Sequence, residues 1–142
     1  MVCPMKLTSV QRAPLWSGTA LQGLLGIGAP GERIGEDLVL AVHSAADTGE
    51  PDCRVENGMF AGMRVRDVPG VPDPFPLLIK LIDAGEDLSL QVHPSDPGTE
   101  GGEKTEMWLI LHAEPGARLL YGLRPEVSCA DFCRSVRAGC FD

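Results

Sequence analysis

Residues 76–108 read PLLIKLIDAGEDLSLQVHPSDPGTEGGEKTEMW, and no other stretch constrains the fold as tightly. In the run from Leu88 to His93, leucines and a valine alternate with Ser89, Gln91 and His93. Side chains alternate faces along a strand, so this spacing predicts a strand with three polar residues on one face and an apolar set turned to a core. The pattern returns at Lys104, Glu106 and Trp108, with Thr105, Met107 and Leu109 on the other face. The connection, PSDPGTEGGE, has the Gly, Pro and Asp content of a surface loop. Two adjacent strands would thus bring Gln91, His93 and Glu106 to one point, with Ser89 and Lys104 beside them.

Those residue types suit a metal site next to an anion site. Imidazole and carboxylate are ordinary zinc ligands, and an amide oxygen is a weaker neutral one. Pro94 favours an extended backbone at His93, as at a strand end. On spacing alone, however, a strand-end His is more often a partly exposed residue than a ligand. Lys104 with Ser89 is likewise more often a solvated pair.

Two motifs tip that balance. FPLLIKLIDAGEDLSLQVHPSD, residues 75–96, is followed by GEKTEMWLIL, residues 102–111. Together they resemble the core of the type I mannose-6-phosphate isomerases, zinc-dependent enzymes built on a cupin fold. The resemblance implies a mainly β, cupin-like jelly roll with one or two short helices. It implies one zinc ion held by Gln91, His93 and Glu106, with Ser89 and Lys104 lining a sugar-phosphate pocket and Lys104 able to assist proton transfer. It also implies interconversion of mannose 6-phosphate and fructose 6-phosphate. The family's fourth ligand, a His, and an Arg near the sugar lie in a part that has no counterpart here. The whole of residues 1–142 is therefore expected to form a single catalytic domain, incomplete at its C-terminal side. Self-association or a missing C-terminal portion would complete it. The alternative is a non-catalytic module that binds metal and sugar phosphate, or a remnant of an isomerase. No general base is assigned; Asp96 and Glu103 are near the motif in sequence only.

Composition narrows the partners. A chain of 142 residues is long enough for one domain with a core and short for two. Its 12 Lys and Arg against 20 Asp and Glu leave a net charge of −8, which disfavours nucleic acid and anionic membranes. A sugar phosphate would need local positive charge, from Lys104 first and Lys80 second. Five irregularly spaced cysteines do not make a secreted disulfide framework, and no apolar run reaches the length of a membrane span. A reducing, cytoplasmic setting is expected.

Outside the core motif the signals are local. Trp16-Ser17-Gly18 precedes a short helical stretch, Thr19 to Leu25, and partly matches a Trp-Gly-Gly motif of the same family. GIGAPG, residues 26–31, has dinucleotide-loop spacing, but no strand precedes it and Pro30 removes an N–H where a phosphate would need one. It reads as a Gly/Pro loop. The run from Asp37 to His43 predicts a buried strand, with His43 structural or solvent-facing. Asn57-Gly58 signals a turn. Strands are expected over residues 107–112 and 118–121. His112 would lie roughly 20 Å from Glu106 along a straight strand, too far to join the same site. Ser128 and Gly139 should cap a helix whose Cys129, Phe132, Cys133 and Val136 face a core.

Overall fold

The computed structural model describes residues 4–43, 52–91 and 105–140. It divides into two compact units, Met1–Leu88 and Ser89–Asp142. Among the described residues the first unit holds three strands, β1 (Val10–Arg12), β2 (Glu36–Leu40) and β3 (Ile79–Ile82), forming one antiparallel sheet in the order β1-β2-β3. Val10 stands opposite Leu38, and Glu36 opposite Ile82. The β2–β3 register shifts between Leu38 and Leu40, a bulge. Helix α1 (Ala20–Leu25) sits between the first two strands in sequence, with Gly26 in the left-handed conformation at its C-terminus (φ 70°). This is the start of GIGAPG, and that stretch is the loop that its proline and glycines require.

The core of this unit lies against β2. Leu38, Ala41, Cys53, Val55, Val65 and Val68 are buried together, with Leu7, Val10, Val42, Phe60, Met63 and Val71 packed around them. The Asn57-Gly58 signal is fulfilled: Gly58 has φ 69° and opens a single 3-10 turn, while Asn57 accepts a hydrogen bond from the Lys6 amide at 2.8 Å. Cys53 acts as a core residue with polar duties. Its sulfur takes the Ala41 amide at 3.2 Å and reaches the Leu38 carbonyl at 3.4 Å, beside the point where the β2–β3 register shifts.

One buried ion pair anchors the same region. The Asp52 carboxylate is fully buried and accepts from the His43 amide at 2.9 Å and from the Arg66 guanidinium. Buried carboxylates are tolerated when each oxygen is engaged, as here. Lys80 on β3 pairs with Glu36 on β2 at 2.5 Å, which spends its charge on the sheet.

The second unit carries helix α2 (Cys129–Ala138). Ser128 and Asp131 form a reciprocal capping box, and Gly139 closes the helix in the left-handed conformation. Both caps are the ones predicted. The expected core face is not: Cys129 and Cys133 are exposed. Helical periodicity marks an apolar stripe, but it does not supply the surface that would cover it.

The mainly β character is thus the one the sequence implied. Among the described residues, however, the strands make a single three-stranded sheet, without the second sheet of a jelly roll. Residues 107–112 and 118–121, expected as strands, form none, and the described part of the Leu88–His93 run, residues 88–91, has no ladder either. A strand exists through its neighbours' hydrogen bonds, and these segments have no backbone partner among the described residues. No helix among the described residues is long and apolar enough to cross a membrane.

Candidate functional site

In the first unit, a compact clamp holds the end of β3, the strand that precedes the candidate residues in sequence. The Asp83 amide donates to the Gly35 carbonyl at 2.9 Å, and the Asp83 carbonyl accepts from Gly18 at 2.9 Å. The Asp83 carboxylate then caps α1, taking the amides of Ala20 at 2.5 Å and Leu21 at 3.2 Å. A negative group at a helix N-terminus satisfies orphan N–H groups and complements the helix dipole. Next in the chain, Ala84 bridges to Ser17, and the Gly85 amide donates to the Trp16 carbonyl at 2.9 Å.

Glycine is needed at two points of this clamp because of close approach. A Cβ on Gly85 would lie 2.9 Å from the Gly18 Cα and 3.0 Å from the Ser17 carbonyl oxygen. One on Gly35 would strike the Ser17 hydroxyl at 2.6 Å and the Trp16 ring at 2.7 Å. Arg33 completes the arrangement. Its guanidinium donates to the Ser17 carbonyl at 2.9 Å, to the Leu15 carbonyl at 3.1 Å and to Glu86 at 3.2 Å. The partial Trp-Gly-Gly-like motif at Trp16-Ser17-Gly18 therefore grips the strand that leads to the candidate ligands. Sequence reading assigned no role to Asp83, Arg33 or Gly85, because the grip spans about 65 residues of sequence, from Gly18 to Asp83.

Of the site residues themselves, Ser89 and Gln91 meet. The Gln91 amide nitrogen donates to the Ser89 hydroxyl at 3.4 Å, as side chains two apart on one face of an extended chain can do. That orientation leaves the Gln91 amide oxygen as the atom available to a cation. Both residues are exposed, and so is Glu106. His93 and Lys104, like Asp96 and Glu103, lie outside the described residues. Among the described residues no group of three or more His, Cys, Asp and Glu could hold a metal ion. Of the predicted trio, only Glu106 is both described and of those types. The remaining histidines are engaged elsewhere: His112 pairs with Glu114 at 3.2 Å, and His43 is half-buried with its backbone amide on Asp52. The His43 ring Nε2 is buried without a partner among the described residues, so it belongs to the interior. Lys80, the second candidate cation, is held by Glu36.

Curated relatives exist for most of the chain. It is 37% identical over 136 residues to the protein named "Probable mannose-6-phosphate isomerase GmuF" of Bacillus subtilis (strain 168), covering 86% of this chain and 42% of that protein. It is 35% identical over 133 residues to the mannose-6-phosphate isomerase ManA of the same organism, covering 84% of this chain and 40% of ManA. A mannose-6-phosphate isomerase of Streptococcus mutans (strain ATCC 700610 / UA159) is 32% identical over 135 residues, covering 86% and 41%. The chain thus spans about two-fifths of the length of the curated relatives it matches. No protein-family model matches it, and no solved structure does.

Proposed function

We propose that this chain, a homologue of the mannose-6-phosphate isomerases over most of its own length, carries part of a zinc-dependent site that interconverts mannose 6-phosphate and fructose 6-phosphate. The observation that carries the reading is this relationship, 32–37% identity across 84–86% of the chain. The donor set suits zinc: the amide oxygen of Gln91, the imidazole of His93 and the carboxylate of Glu106 offer one neutral oxygen, one nitrogen and one anion. When bound, zinc would orient the sugar oxygens and stabilise negative charge developing on them.

The chain's own residues have the other tasks. Aldose and ketose exchange through an enediol: the proton on C2 is removed and one is returned at C1, with the hydroxyl and carbonyl protons exchanged to match. Lys104 would face the sugar and help carry a proton between oxygens, while its charge draws the phosphate against the chain's net −8. The Ser89 hydroxyl would donate to the phosphate. It accepts from the Gln91 amide at 3.4 Å, which leaves its own proton available for that bond.

A second reading is favoured by one fact, the two-fifths coverage of the relatives. In that reading the chain binds zinc and sugar phosphate without turning the sugar over. The deciding experiment is conversion of mannose 6-phosphate by the purified chain, with zinc and then with a chelator, alongside calorimetric binding of each. Zinc-dependent turnover supports the isomerase reading. Binding of both without turnover selects the module, and failure to bind either removes both readings.

A further inference from the structure

Helix α2 carries two thiols that neither the packing of the chain nor the isomerase chemistry uses. Cys129 opens the helix and Cys133 follows one turn later, and both are exposed free thiols. Residues four apart stand one above the other on a helix face, with Cβ atoms about 5–6 Å apart. Helical side chains lean towards the N-terminus, which lays the Cys133 side chain over the turn that holds Cys129. The two thiols share a hydrogen bond. That bond first, and the charge of Cys129 second, push the Cys133 thiol up from its ordinary value. Cys140, beyond the end of the helix, is turned elsewhere, its thiol donating to the Ala138 carbonyl at 3.7 Å. Cys53 is buried in the core of the first unit.

What such a pair can hold follows from the gap between its sulfurs. A disulfide needs Cβ atoms about 3.5–4.5 Å apart, so direct oxidation of the pair requires the turn to open. The capping box of Ser128 and Asp131 at one end and Gly139 at the other keep the helix closed. An atom bonded to both sulfurs fits the closed turn, because two metal–sulfur bonds of about 2.3 Å bridge sulfurs up to about 4.6 Å apart. Among the described residues no third His, Cys, Asp or Glu joins the pair in a group that could hold a metal ion. Two sulfurs fall short of the four ligands of a structural zinc and of the oxygen shell of a hard cation. Thiolates select soft ions, and copper(I) is the soft ion that accepts two ligands in a line. We propose that Cys129 and Cys133 form a two-sulfur site for a soft cation of the copper(I) class, held between the two Sγ atoms. The ion displaces both thiol protons to solvent, and the resulting bis-thiolate complex carries one net negative charge. A first helical turn favours that charge, and Arg137, one turn beyond Cys133, offsets it. The site shares no residue with the set proposed for zinc and stands apart from the isomerase reading.

The test titrates the purified full chain with copper(I), under anaerobic conditions, against a chromogenic copper(I) chelator. The chain should withdraw one copper(I), equimolar zinc should leave it in place, and X-ray absorption should show two sulfur neighbours. Cys129→Ser and Cys133→Ser should each weaken binding by about a hundredfold or more, since even residues that only support a metal ligand are worth about 10–100-fold. Cys140→Ser should change nothing. Cys133→Ser combined with Arg134→Cys keeps the number of thiols but turns one off the shared face, and it should bind no better than Cys133→Ser. All these positions are exposed, and circular dichroism of each variant checks that the helix is retained. Failure of the chain to compete with the chelator overturns the inference. So does full binding by either single variant at 129 or 133, an equal loss in Cys140→Ser, or recovery of binding through Arg134→Cys. A mass showing one copper shared by two chains also overturns it, because the sulfurs would then come from different copies.

Discussion

Gly18 and Asp83 should be energetically coupled, and the coupling should have a sign that only the clamp explains. A Cβ built on Gly18 collides with the Asp83 carboxylate, with Cγ at 2.5 Å and the capping oxygen Oδ2 at 2.7 Å. Gly18→Ala therefore drives the carboxylate off the amides of Ala20 and Leu21, or strains the backbone between them. Overpacking of this kind costs about 1–3 kcal/mol. Asp83→Ala removes the same two charge-assisted hydrogen bonds, each about 1.5–3 kcal/mol when fully shielded. The site is half-exposed, so about 2 kcal/mol in total is the reasonable expectation, in line with the loss of an N-cap.

In the double variant the added methyl occupies space that the carboxylate has vacated, and no cap remains to be displaced. The second substitution should then cost almost nothing. The pair should destabilise by about 2 kcal/mol where additivity predicts roughly 4, a coupling of about 2 kcal/mol that is well above the usual scatter of about 0.5. Urea unfolding followed by circular dichroism reads this directly. With a slope of about 1–3 kcal/mol per molar, each single variant should lose roughly 1 M in midpoint, and the double variant little more. Additive losses would refute the clamp as the reason for glycine at position 18.

Three further outcomes follow from particular contacts. Glu106→Gln and Gln91→Leu should each weaken zinc binding by at least about tenfold, since even residues that merely support a metal ligand are worth 10–100-fold; unchanged affinity in calorimetry removes that residue from the ligand set. Burial pushes the Cys53 thiol up, so in the native chain it should resist a thiol reagent at neutral pH, while the exposed Cys129, Cys133 and Cys140 react; mass spectrometry of the labelled peptides decides. Hydrogen bonds from Ser128 hold the Asp131 carboxyl below its ordinary 3.8. Because that folded value is depressed, the stabilisation of α2 is complete above the ordinary value and is lost as the pH falls through the lower one. Helical ellipticity should decline on acidification below about pH 4, less steeply in Asp131→Asn, and an identical profile in that variant would remove the capping box as the cause.

The sequence by itself determined the features whose causes are local. Ser128 and Gly139 cap α2 because their side-chain oxygen and missing Cβ act within one turn of the residue itself. Asn57-Gly58 turns and GIGAPG loops for the same reason. The family resemblance was also legible, since it rests on the order of residues and needs no contact, and it brought with it the candidate set Ser89, Gln91, His93, Lys104 and Glu106. Tertiary structure decided everything that depends on a partner distant in sequence. Alternation at residues 88–91 and the apolar run at 107–112 describe what a strand would look like, yet a strand is made by the neighbour that bonds to it, and none is present among the described residues. Cys129 and Cys133 carried the periodicity of a buried stripe and are exposed, because burial is a property of two surfaces. No motif assigned a role to Asp83, Arg33 or Gly85. Their roles exist only because Trp16-Ser17-Gly18 folds back onto the end of β3, close enough that a single methyl group would not fit.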